Sequence, residues 1–159
     1  MTVKICCVGK LKELFFVDAC AEFVKRLSRY CTVKICEVAD EKAPETLSPA
    51  EEEQVRQREG ERLLSAIDPK DTVIALAIGG RRYTSEAFAA HLETLEDRGA
   101  RTLAFVIGGS LGLSQKVLAR ADETLSLSDM TFPHRIARLV LLEQIYRAYK
   151  IRRKEAYHK

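Results

Sequence analysis

The sequence predicts an α/β domain built on a mainly parallel sheet. Two observations carry that expectation. Thr72–Ile78 and Thr102–Ile107 are continuous apolar runs, the mark of strands covered on both faces. Segments with helical spacing separate the strand-like runs, so strands and helices alternate along the chain. A chain of 159 residues fits one such domain, read here as residues 1–159 with a basic tail at 152–159.

The elements follow in order. Val3–Val8 is a short β-branched run ending at Gly9 and reads as a strand. Phe15–Tyr30 puts Phe16, Ala19, Cys20, Phe23, Val24 and Leu27 on one helical face. Thr32–Val38 alternates and reads as a strand, and Asp40–Pro49, with two prolines, as a loop. A charged helix starts at Ser48 or Pro49 and runs to about Ile67. Its first turn holds Glu51–Glu53, where acids suit the macrodipole, and Asp68-Pro69 breaks it. Gly79-Gly80 ends the strand from Thr72. Ser85–Arg98 reads as a helix with Ser85 as N-cap and Gly99 at its end. Gly108-Gly109 stops the next strand. Ser114–Ala121 reads as a short helix, Thr124–Ser128 as a last short strand, and Pro133 precedes a final helix over roughly 134–151.

That final helix has apolar residues at 137, 139, 141, 142, 145, 146, 148 and 149. They sweep roughly 200° of arc, where one sheet requires about 100°. The excess predicts a homodimer packed through this helix; burial inside its own domain is the alternative. Arg135 and Arg138 lie on or beside the apolar face, where a charge needs a partner or a task.

Composition narrows the function classes. The chain is 47% hydrophobic, enough for a single core. It opens without a basic leader and apolar run, and no apolar stretch approaches the ~20 residues that cross a bilayer. A cytoplasmic location without a membrane partner is expected. The five cysteines lie between Cys6 and Cys36, without Cys-x-x-Cys spacing, and read as buried free thiols. No metal is expected. The net charge of +3 conceals an asymmetry: from His134 onward eight Lys or Arg face two Glu, while the remainder has 18 basic and 21 acidic residues. A basic C-terminal block suits a polyanion such as nucleic acid, or simply a helix end.

Open parallel sheets bind ligands beyond the carboxyl ends of their strands. Three unusual segments lie there: Leu76–Gly80, Ile107-Gly-Gly-Ser-Leu-Gly-Leu113, and Leu125-Ser-Leu-Ser-Asp-Met-Thr-Phe-Pro133. The middle one lacks both Gly-x-Gly-x-x-Gly spacing and the Gly-Lys-Ser/Thr of a P-loop, which argues against dinucleotide and nucleotide-phosphate binding. No catalytic triad is visible. His91 reads as exposed and inert within a helix, His134 as structural at a helix start, and His158 as part of a polar tail.

Taken together the blocks are more specific. Val8-Gly-Lys-Leu-Lys12, Phe105-Val-Ile-Gly-Gly-Ser-Leu-Gly-Leu113, Leu125–Arg135, Glu143-Gln-Ile-Tyr-Arg-Ala-Tyr-Lys150 and the terminal Tyr157-His158-Lys159 occur in this order. End to end the chain resembles the pseudouridine N3-methyltransferases of large-subunit ribosomal RNA in the SPOUT superfamily. The resemblance implies an α/β fold with a C-terminal trefoil knot, a homodimer, and S-adenosyl-L-methionine held by backbone of three loops. The matching cofactor positions are Leu76, Gly108, Leu127, Ser128, Asp129, Met130, Thr131 and Phe132. It further implies a tail that reaches the partner's cofactor pocket, making Tyr157 and His158 candidates for orienting the base or taking its proton. Arg147, Arg152, Arg153 and Lys159 would then hold RNA phosphates, on the assembled ribosome rather than free RNA. A non-catalytic RNA-binding module, or a knotted methyltransferase with another RNA target, are the competing readings.

Overall fold

The computed structural model describes all residues from Met1 to Lys159. Strands and helices alternate strictly: β1 (Thr2–Val8), α1 (Leu14–Leu27), β2 (Thr32–Val38), α2 (Pro49–Ser65), β3 (Thr72–Arg81), α3 (Ser85–Asp97), β4 (Thr102–Ile107), α4 (Gln115–Arg120), β5 (Glu123–Leu125) and α5 (His134–Arg152). The five strands form one parallel sheet in the order β2-β1-β4-β3-β5. Side-chain alternation along β1 and β4 divides the core. Val3, Ile5, Cys7, Leu103, Phe105 and Ile107 join the cluster that also holds buried residues of α1, α3 and α5. Cys6, Val8, Ala104 and Val106 join the smaller cluster with Leu63 of α2 and Val117 of α4. The fold is therefore a three-layer α/β/α sandwich.

Local chemistry explains the helix starts. Ser48 and Glu51 form a reciprocal capping box at α2, with Pro49 in its first turn. Ser114 caps α4. At α3 the cap is Thr84, whose hydroxyl accepts from Ala87 N at 3.1 Å. Ser85, expected in that role, instead donates to Gln144 on α5 at 2.8 Å. The helix α1 stops at Leu27, short of Tyr30.

Two strands differ from expectation. β3 continues through Gly79-Gly80 to Arg81, and only Val73–Ala75 is fully buried in it. Pairing with β4 ends at Ala75; beyond it β3 pairs only with β5, across a register shift. The outer half of β3 is thus uncovered on one edge, and Ile78 is 88% exposed. β5 is only Glu123–Leu125, and Ser126–Ser128 lies outside any strand.

The broad apolar face of α5 is filled within the chain. The helix sits between α1 and α3 and over β4, burying Ala137, Leu141, Leu142, Ile145, Tyr146, Ala148 and Tyr149. The arc therefore does not by itself require a second copy, because helices flank α5 on both sides. Arg138 is 3% exposed and is satisfied by Glu37 at 2.8 Å and the Gly9 carbonyl at 3.2 Å. Arg135 pairs with Glu13 at 2.5 Å. Both arginines thus tie α5 to the segments around β1 and β2. The five cysteines are free, four of them buried. No helix is long and apolar enough to cross a membrane.

Candidate active site

Beyond the carboxyl ends of β3, β4 and β5, the three glycine- and apolar-rich segments converge on an open cleft of about 1010 Å³. Leu76–Ile78 forms one wall, Ile107–Leu113 the second, and most of Leu125–Ala137 the third. Each wall has a local cause. Gly108 is pressed against the turn it opens: a Cβ there would lie 2.7 Å from the Gly112 carbonyl carbon. Gly112 closes that turn with φ +83, donating its N–H to Gly109 O at 3.1 Å. The third wall is fastened at its start by Ser126 N donating to Arg81 O at 3.0 Å. Its own serines then shape it. The Ser126 hydroxyl donates to Ser128 O at 2.8 Å, and the Ser128 hydroxyl accepts from Met130 N at 3.0 Å. The irregular backbone so held presents Met130, 77% exposed, and Phe132 to the cleft.

Of the cofactor positions expected from the sequence, Leu76, Gly108, Leu127, Ser128, Met130, Thr131 and Phe132 all line this cleft. Asp129 is not on its wall; its carboxylate pairs with Arg82 in an exposed bridge.

The C-terminal residues lie elsewhere, folded back on α5 and α3. The Tyr157 hydroxyl donates to Glu143 Oε1 at 3.0 Å, and its ring packs edge-on against Tyr146 with centroids 4.9 Å apart. Burial, then the Glu143 carboxylate, raises the Tyr157 phenol above its ordinary range. The Arg147 guanidinium covers the same ring at 4.7 Å and pairs with Glu143. His158 is firmly placed: Arg147 faces Nδ1 at 3.2 Å and Glu86 Oε1 faces Nε2 at 2.7 Å. An arginine only donates, so Nδ1 accepts and Nε2–H donates to Glu86. Neither Tyr157 nor His158 lines the cleft of its own chain. Arg152 is only 15% exposed and forks onto both oxygens of Glu96, at 2.9 and 2.8 Å. Arg153 and Lys159 are exposed.

The other two histidines also have defined surroundings. His91, read from the sequence as exposed, is held by Glu123 at 2.6 Å and stacked on Tyr83 at 5.1 Å. His134, half-buried at the start of α5, lines the cleft. Burial, then the Arg135 and Arg138 charges, hold its pKa below the ordinary histidine value, which favours the neutral ring.

Sequence reasoning missed Glu59. It is 5% exposed, its Oε2 accepts from Glu41 N at 3.0 Å, and its Oε1 has no partner. A faint signal was present: Glu59-Gly60 puts a glycine in the middle of a long charged helix. A Cβ at Gly60 would lie 2.3 Å from Ser114 Oγ, so glycine there lets α2 press against the turn before α4.

Comparison with known proteins agrees with this arrangement. The model of the family described as "Predicted SPOUT methyltransferase" matches residues 1–158. A protein of Exiguobacterium sp. named ribosomal RNA large subunit methyltransferase H is 57% identical over the whole of both chains. Proteins with the same name from Lactobacillus johnsonii and Listeria welshimeri are 55% and 54% identical, also end to end. A solved structure of a probable methylase family protein from Haemophilus influenzae superposes with a TM-score of 0.56 at 12% identity, covering 99% of this chain and 70% of that one, a likeness of fold alone. A parallel α/β sandwich with three loops gathered at its strand ends, matched over residues 1–158 by the family model and end to end by relatives more than half identical, makes the chain a member of the SPOUT methyltransferase family.

Proposed function

We propose that the chain transfers the methyl group of S-adenosyl-L-methionine to N3 of a pseudouridine in large-subunit ribosomal RNA, with the assembled ribosome as substrate and the cytoplasm as its location. The observation that carries this reading is the convergence of the three segments on one cleft. The cleft suits the cofactor chemically. Leu76, Leu127, Met130 and Phe132 with the bare backbone at Gly108 match an adenine ring needing a slot and a few backbone hydrogen bonds. Gly108 lets the backbone approach where a side chain would collide. Leu76, Gly108, Leu127, Ser128, Met130, Thr131 and Phe132 would hold the cofactor, with Asp129 fixing the loop through Arg82.

When bound, the cofactor supplies an already activated sulfonium methyl. The chain's contribution is to hold donor and acceptor in line. Tyr157 and His158 are assigned to the acceptor base. Both nitrogens of His158 are engaged, by Arg147 and Glu86, so orientation of the base fits His158 better than removal of the N3 proton. Arg153 and Lys159 are free for phosphate contacts. Arg147 and Arg152 would serve them only by giving up Glu143 and Glu96.

Because the tail does not line its own cleft, its role calls for a second chain, and we take the working form to be a homodimer with composite sites. Exposed Leu14, Phe15 and Val17 on α1 and Ile136 on α5 are apolar surface that such an interface would cover. We also take residues 1–159 as one domain whose 126–134 segment is threaded into a trefoil knot. Mass mapping of ribosomal RNA from a strain lacking the gene, with and without complementation, tests the reading. A pseudouridine that loses its methyl and regains it supports the assignment; a methyl lost from another nucleotide points to a different target. Sedimentation at micromolar concentration tests the dimer, and a stable monomer would refute it.

A further inference from the structure

A second, polar cavity of about 340 Å³ lies across the Gly109–Leu111 turn from the cofactor cleft, and His134 and Arg135 line both. Its base is formed by Val8 and Gly9 at the end of β1 and by Gly109 and Ser110 just past the end of β4. These two strands are neighbours. The chain leaves β1 toward β2 on one side and leaves β4 toward β5 on the other, so the cavity sits at the sheet's topological switch point. That is where open parallel sheets place their ligands.

Glu59 faces this cavity, and the unpartnered Oε1 is its distinguishing feature. A buried carboxylate oxygen without a donor costs stability, and burial raises the Glu59 pKa. The one hydrogen bond it makes, from Glu41 N to Oε2, fixes the carboxylate and leaves Oε1 over. Gly109 lies directly beside it: a Cβ there would be 3.1 Å from Oε1. Exposed Lys10 and Lys12 also line the cavity. Glu41 on the same wall is neutralised by Arg58 and Arg62, at 3.0 and 2.7 Å. Asp40, Glu45 and Glu52 line the cavity as well, so Glu59 is the one buried carboxylate among its acids, and Lys10 and Lys12 are its exposed lysines. A buried, unpartnered acceptor is complementary to a nucleotide base that donates a hydrogen bond, with the phosphates left outside the cavity within reach of the two lysines.

We infer that this cavity receives the acceptor nucleotide, and that Glu59 Oε1 selects pseudouridine over uridine by accepting its N1–H. The inference rests on the methyltransferase reading above. In uridine N1 carries the sugar and has no proton. In pseudouridine the sugar is on carbon, so N1–H is a free donor on the ring edge away from N3. An acceptor held at N1–H leaves N3 open to the methyl group. A site built around such a bond rejects the analogue that lacks the donor, because the buried acceptor is then left unpaired.

The test compares methylation of ribosomes carrying pseudouridine with ribosomes carrying uridine at the same position, using the full-length protein and its Glu59→Gln variant. Glu41 N–H requires an acceptor, so the glutamine oxygen takes the Oε2 place and its NH2 faces the base, donor against donor. The wild type is expected to prefer pseudouridine by tenfold or more. In Glu59→Gln, kcat/KM on pseudouridine should fall about ten- to hundredfold toward the uridine level, with calorimetric affinity for S-adenosylmethionine within about twofold of wild type. A merely structural role would lower both substrates together. Retained discrimination overturns the inference. So does a large loss of cofactor affinity, which would assign the cavity to the cofactor's amino-acid end. Wild type that methylates neither ribosome overturns the functional reading itself. The surface pair Lys10→Ala and Lys12→Ala, remote from the core, should raise KM for ribosomes and flatten its salt dependence by up to two phosphate contacts; an unchanged salt slope counts against the cavity.

Discussion

In the cleft, Met130 and Phe132 project without a partner and Gly108 bares its backbone, whereas in the tail Arg152, Tyr157 and His158 are already matched. Tyr157 holds Glu143, His158 holds Arg147 and Glu86, and Arg152 holds Glu96. The cleft is a surface that a ligand completes. The tail is a closed network that must exchange contacts, or present them as they stand, when it acts. Damage in the cleft should therefore appear in cofactor affinity, and damage in the tail in turnover.

The largest expected effect is in the cleft. Gly108→Val puts a branched side chain against the Gly112 backbone. Overpacking there should cost about 1–3 kcal/mol of stability and displace the turn. Affinity for S-adenosylmethionine should drop more than about a hundredfold, some 2.8 kcal/mol, in titration calorimetry. A folded variant with unchanged affinity would remove Gly108 from the site.

Next comes the tail. Deleting Tyr157 to Lys159 should leave cofactor affinity within about twofold while ribosome methylation falls a hundredfold or more, a barrier increase of at least about 2.7 kcal/mol. Loss of the Tyr157–Tyr146 contact should lower stability by about 1 kcal/mol. If cofactor affinity fell in parallel with activity, the division between the two regions would be wrong.

A smaller change sharpens the same comparison. His158→Ala should reduce turnover about tenfold. Raising the pH should not rescue it, because both ring nitrogens are engaged and orientation is the role assigned. Rescue at high pH would make His158 the base instead.

The smallest effect concerns His134, between the cleft and the polar cavity. Its folded pKa lies below the unfolded value of about 6.5. The unfolded chain therefore takes up the proton first as pH falls. Stability contributed by neutral His134 is complete above about pH 6.5 and is lost progressively on acidification below it. His134→Gln should make the fall in melting temperature between pH 7 and pH 5 smaller than in the wild type, measured by calorimetry. Identical pH profiles would show that His134 does not titrate differently on folding.

Much of this was legible in the residues themselves. The apolar runs at 72–78 and 102–107, the helix starts at Ser48-Pro49 and Ser114, and the glycine pair after β4 are local signals, and local signals specify elements and turns. The ordered blocks from Val8 to Lys159 carried the family, because a long coincidence of side chains is specific even where each short motif is not. What the residues did not determine is which surfaces meet. The wide arc of α5 counted apolar positions correctly, but whether α1 and α3 or a second chain covers them depends on packing. Asp129 shares the Leu125–Pro133 segment with eight cleft residues yet turns to Arg82, and Arg152 sits in a basic run yet serves Glu96, 56 residues away in sequence. Glu59 looked like one acid among many on a solvated helix; only the approach of β1, β4 and the 40–47 loop buries it and strips its second oxygen of a partner. Charge and periodicity are properties of the chain, but desolvation is a property of the assembled layers, and it is desolvation that separates a functional carboxylate from a surface one.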